Sequence, residues 1–74
     1  MNTYRFAAVI EKDSDGYFAF CPELQGCYTQ GETYEEAFEN LREAVLLHVE
    51  DRLAEGESIQ TMESINLTSL EVAL

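Results

Sequence analysis

The chain has 74 residues, 46% of them hydrophobic, and carries fifteen acidic residues against four basic ones for a formal net charge of −11. That length allows a single domain, 1–74, whose core supplies only about 3–5 kcal/mol of net stability unless subunits or staples add to it, while the apolar fraction argues against disorder. The charge argues against direct nucleic-acid binding, which needs Lys and Arg on phosphates, and favours a basic partner; no apolar run nears the ~18 residues of a membrane span and residues 1–5 do not read as a secretory signal, so the expected compartment is the cytoplasm.

Residues 3–12 alternate as a strand, with Tyr4, Phe6, Ala8 and Ile10 on one face and Arg5, Ala7, Val9 and Glu11 on the other. The first face is the bulkier and should lie against a helix. Asp13-Ser14-Asp15-Gly16 is a hairpin turn with its glycine late. Residues 17–21, Tyr-Phe-Ala-Phe-Cys, are apolar on both faces, so Tyr17 or Phe18 should look toward another polypeptide. Pro22 lacks an N–H and ends the strand. Cys21 and Cys27 bracket the Pro-Glu-Leu-Gln-Gly loop and read as thiols packed like small hydrophobes. With one His and no Cys-x-x-Cys spacing, no zinc site is expected. A third short strand covers residues 27–30. Gly26 and Gly31 mark positive φ or a close backbone approach.

Thr33 followed by Glu36 is a capping box, and the chain then turns helical from Tyr34 to Ala54. Tyr34, Ala37, Phe38, Leu41, Val45, His48 and Val49 form its apolar stripe. Glu35 and Glu36 suit the positive end of the helix dipole, and Gly56 suits a C′ stop. His48 reads as a packed or edge histidine. Leu46 and Leu53 sit about 100–120° off the stripe, where they either widen the core face or touch another subunit. Residues 57–63 connect the helix to a last, apolar segment. There Ile65 and Leu67, then Leu70, Val72 and Leu74, alternate with a change of phase at Thr68-Ser69, which calls for a bulge or a short strand followed by a separate tail.

The order strand, strand, strand, helix, strand predicts an α+β two-layer β-β-β-α-β sandwich, an antiparallel sheet with one long helix on one face. Its uncovered face is too apolar for water, so self-association into a dimer or tetramer is expected, with Val9, Leu46, Leu53 and Val72 as contacts. No nucleophile–base pair, phosphate-cradling loop or dinucleotide fingerprint is present. Residues 32–57 hold nine of the fifteen acids, mostly along the helix, where solvation explains them. A two-metal nuclease would need carboxylates converging from strands, and the strands and their loops offer only Glu11, Asp13, Asp15, Glu23 and Glu71. The chain is read as non-enzymatic, without cofactor or metal.

The opening Val9-Ile10-Glu11-Lys12-Asp13 with its turn and Tyr17, the Pro22-Glu23-Leu24 loop, Gly26-Cys27, Thr29-Gln30-Gly31, and Thr33-x-Glu35-Glu36-Ala37 occur here in that order. This series resembles the N-terminal domain of the HicB antitoxins over roughly residues 3–55. The resemblance implies an incomplete ribonuclease-H-like fold without catalytic carboxylates. It also implies an inhibitory activity, binding a small basic HicA-type mRNA-cleaving toxin. Longer relatives add a C-terminal DNA-binding domain, for which this sequence offers no basic helix. Partner contacts are expected at Tyr17, Phe18, Pro22, Glu23, Leu24 and Tyr28, unless these side chains simply complete the core. The alternative function is that of an orphan oligomeric domain with a structural or regulatory role and no toxin.

Overall fold

The computed structural model describes residues 3–60 and 62–74; Thr61, within the expected connection, lies outside them. Three strands, β1 (Val9–Asp13), β2 (Gly16–Phe20) and β3 (Tyr28–Gly31), form an antiparallel sheet in the order β1-β2-β3, and the helix α1 (Tyr34–Ala54) follows. The register pairs Val9 with Phe20, Asp13 with Gly16, Phe20 with Tyr28 and Tyr17 with Gly31. The α+β arrangement, with sheet and helix as two layers, is the one the sequence implied.

Each boundary has a local cause. Asp13 Oδ1 accepts the Asp15 N–H at 2.8 Å, closing the hairpin turn. Thr33 Oγ1 accepts the Glu36 N–H at 3.0 Å and starts α1, while the Glu36 carboxylate takes the N–H of Glu32 at 3.1 Å. The reciprocal bond of the box thus reaches one residue further out than the usual pattern. Gly56, at φ +79°, ends the helix. Its N–H donates to Leu53 O at 3.1 Å and the next amide, Glu57, donates to Arg52 O at 2.9 Å, the paired bonds of a Schellman stop.

Ala19, Cys21, Leu24, Cys27, Ala37 and Leu41 form the core, with Phe6, Ile10, Tyr17, Ala44 and Val45 packed against it. Val49 is also buried, whereas Tyr34 and Phe38 of the expected stripe are 52% and 41% exposed. The helix crosses the sheet where side chains are smallest: Ala19 and Ala37 are fully buried, and a Cβ on Gly31 would stand 2.5 Å from the Ala37 nitrogen. Thr29 Oγ1 donates to Ala37 O at 3.2 Å and Asn40 Nδ2 to Gln30 O at 2.9 Å, pinning β3 to α1.

Two expectations need correction. The first strand joins the ladder only from Val9, because in this register Ala7 would oppose Pro22, which has no N–H and opens a loop. Residues 62–74 form no strand, so the fourth strand of the β-β-β-α-β reading is not made among the described residues. Only its first part approaches the sheet: Met62 N–H meets Arg5 O at 3.5 Å and the Arg5 guanidinium meets Glu63 O at 3.4 Å. Beyond the phase change at Thr68-Ser69, Leu70, Val72 and Leu74 are 88%, 69% and 120% exposed.

Candidate partner-binding surface

Strand alternation puts Ile10, Ala19 and Thr29 in one row toward the helix, and Val9, Phe20 and Tyr28 in the neighbouring row on the open face. Glu11, Phe18 and Gln30 complete that open face. Phe18 lies 5.9 Å from both Phe20 and Tyr28, ring centre to ring centre, in tilted pairs that add about 0.5–1.5 kcal/mol each beyond area burial. Tyr28 remains 63% exposed. The rings continue into a shallow depression of about 390 Å³ lined also by Pro22, Gln25 and Gly26. An aromatic surface of this kind suits the apolar centre of a protein contact.

The loop that borders it is held by backbone and carboxylate. Leu24 N–H donates to Cys21 O, Cys27 N–H to Leu24 O, and Cys21 N–H to Cys27 O at 3.0 Å. Gly26 takes φ +78° to make the turn. Glu23 Oε2 accepts the Ala7 N–H at 2.9 Å, giving that donor a partner where the ladder has ended. The Cys21 thiol donates to the other Glu23 oxygen at 3.9 Å. Burial pushes the thiols of Cys21 and Cys27 above their ordinary range, and the Glu23 charge adds to the rise at Cys21.

Of the six expected partner contacts, Phe18, Pro22 and Tyr28 come together on this surface. Tyr17 stands on the opposite face, packed toward the helix with Lys12 Nζ 5.9 Å from its ring centre. Leu24 is enclosed in the core. Glu23 is engaged within its own chain. Phe20, which the sequence reading did not single out, completes the cluster; its spacing of two from Phe18 was the available signal. Among the expected oligomer contacts, Val9 lies half-buried on the open face, Leu46 and Leu53 are 51% and 46% exposed on the helix, and Val72 stands in the exposed tail.

Most of the acids lie on or beside the helix, which covers the other face of the sheet. All nine between Glu32 and Glu57 are exposed, and Asp13, Asp15, Glu32 and Glu36 gather around a cavity of about 400 Å³ at the hairpin end. Among the described residues no helix is long and apolar enough to cross a membrane.

The profile of the family described as "HicB_like antitoxin of bacterial toxin-antitoxin system" matches residues 6–72. A UPF0150 protein of Synechocystis is 46% identical over 57 residues, covering 76% of this chain and 72% of that protein. A UPF0150 protein of Helicobacter pylori is 44% identical over 66 residues, covering 89% and 92%. A 14.9 kDa protein of Haemophilus phage HP1 is 40% identical over 50 residues, 68% of this chain but 38% of the phage protein. No solved structure matches. With the profile spanning nearly the whole sequence, the chain belongs to the HicB-like antitoxin family of bacterial toxin–antitoxin systems.

Proposed function

We propose that this antitoxin-family protein works in the cytoplasm as a homo-oligomer that binds and neutralises a small basic mRNA-cleaving toxin of the HicA type. The observation that carries the reading is the aromatic cluster Phe18, Phe20 and Tyr28 standing open in a chain of net charge −11. The exposed carboxylates attract a basic protein and speed encounter, and the desolvated rings hold it. Acidic side chains then occupy the places where RNA phosphates would sit. The protein acts by covering a surface, not by chemistry, and does not bind nucleic acid itself.

Co-expression with a neighbouring basic reading frame of ~60–80 residues (the size of a small single domain) tests this. Growth is expected to be rescued from the frame's toxicity, and the two chains to co-purify in a complex that weakens as salt rises. If neither happens with any adjacent frame, the reading fails. The exposed tail, Leu70 to Leu74, favours a second reading, the orphan oligomer, in which self-association persists with no small basic frame nearby.

A further inference from the structure

We infer that residues 70–74 form an exchanged strand, added to the outer edge of β1 in a second copy of the chain. The inference stands independently of any toxin.

Four observations converge on it. First, the two edges of the sheet differ. At β3 the Gln30 carbonyl is already taken by Asn40 of α1 at 2.9 Å. The outer edge of β1, Val9–Asp13, has no neighbouring strand among the described residues, and an open edge is a template for pairing. Second, the chain leads to that edge and then leaves it. Residues 62 and 63 meet Arg5, and Ser64 to Leu67 line an apolar cavity of about 590 Å³ together with Ala7, Ala8 and Val9. Residues 70–74 do not continue along β1: Leu70, Val72 and Leu74 are 88%, 69% and 120% exposed.

Third, the apolar phase changes at Thr68-Ser69. Ile65 and Leu67 share one parity and Leu70, Val72 and Leu74 the other; Ser64 to Leu67 all line the chain's own cavity, with Ile65 38% and Leu67 73% exposed. A strand passing from its own sheet to another body needs such a change, because a shift of one residue turns its side chains to the opposite face. The Cα radius of gyration, 14.1 Å, also exceeds the roughly 11 Å of a compact domain of this length, as an outreaching segment requires.

Fourth, charge selects the occupant. Copies of a −11 chain repel each other except where acids are sparse. Residues 58–74 carry only Glu63 and Glu71, and residues 3–13, which include β1, balance Glu11 and Asp13 with Arg5 and Lys12. A strongly basic partner would gain little from this segment, whereas a second copy meets least repulsion there. Two-fold exchange makes the contact twice, so each β1 edge is filled by the partner's tail.

The test is the mass of the full chain in solution, with isotope-filtered NMR on a mixture of labelled and unlabelled chains. Twice the 8.4 kDa chain mass, or a multiple of that dimer, is expected, with intermolecular contacts between methyls of residues 70–74 and residues 9–13. Leu70→Glu with Val72→Glu should reduce the mass to that of a single chain, or halve it if dimers pair, with far-UV circular dichroism unchanged. A wild-type chain still monomeric at about 1 mM, where even weak association is populated, overturns the inference. So does an assembly that survives the double substitution, or contacts from residues 70–74 to β1 that are only intramolecular. A tail that orders only on a basic partner overturns it as well.

Discussion

Gly31 sits so close to Ala37 that a Cβ placed on it would stand 2.5 Å from the Ala37 nitrogen and 2.9 Å from its Cα. Both atoms belong to the helix backbone and cannot rotate away. The contact fixes how deeply the first turn of α1 rests on β3, and so where the whole helix crosses the sheet. Gly31→Ala is therefore expected to push α1 off β3 and cost about 1–3 kcal/mol. In a chain this short each kcal/mol lowers Tm by roughly 4–8 °C. Thermal unfolding followed by circular dichroism measures the drop; an unchanged Tm would mean that the helix does not rest on Gly31.

Glu23 substitutes for a missing strand bond, since its carboxylate holds the Ala7 N–H at 2.9 Å where Pro22 ends the ladder. Glu23→Ala should cost about 1–3 kcal/mol, the range for a hydrogen bond to a charged group. It should also abolish hydrogen-exchange protection at the Ala7 amide while sparing amides within β2. Exchange rates read residue by residue separate this latch from a partner contact, because a contact residue would leave Ala7 protected in the free chain.

The parts of the fold written locally were legible in the sequence. The helix runs from Tyr34 to Ala54 as expected because Thr33 and Gly56 encode its ends within a few residues. The hairpin is equally local. The tail was not legible in this sense: strand pairing needs a partner edge, and alternation in residues 65–74 reports a strand's pattern without saying whose sheet receives it. Likewise residues 3–8 carry a strand pattern, but the ladder stops where the register brings Pro22 opposite. At the surface, alternation in the first strand indicated the face with Phe6 and Ile10 as the one toward the helix, where both pack. Residues 17–21, however, are apolar on both faces and did not show which of theirs is open. That information lay in the small residues Ala19, Gly31 and Ala37, which mark the crossing. Without them Tyr17 and Leu24 resemble contacts when they are packed inward.

Phe18 and Tyr28 against Leu24 make a decisive pair of experiments. Tyr28 is 63% exposed and Leu24 3%. Phe18→Ala and Tyr28→Ala should weaken capture of a basic toxin partner by at least tenfold, as interface aromatics do. Tyr28→Ala should cost only about 0.5–1.5 kcal/mol, the worth of its ring pair with Phe18. Leu24→Ala should instead cost about 2–5 kcal/mol through the cavity it leaves, with binding lost only as far as folding is lost. Calorimetric titration beside urea denaturation distinguishes the two. Full affinity in the Phe18 and Tyr28 variants would remove the open face from the binding surface.

Cys21 and Cys27 stand opposite each other at the end of the β2–β3 pair, each 2% exposed, with both thiols pushed upward by burial. A folded-state pKa above the unfolded one means that the unfolded chain loses its protons first as pH rises. Their contribution is whole below the ordinary thiol value of about 8.5 and drains away as pH climbs from there through the raised values. The urea midpoint should therefore hold level from pH 7 to 8 and decline above, and a Cys21→Ala, Cys27→Ala chain should decline less steeply. A disulfide-exchange reagent should label neither thiol quickly at pH 8 until urea opens the core. Rapid labelling of the folded chain would show that the loop from Pro22 to Gly26 opens on its own, and with it the clasp between Glu23 and Ala7.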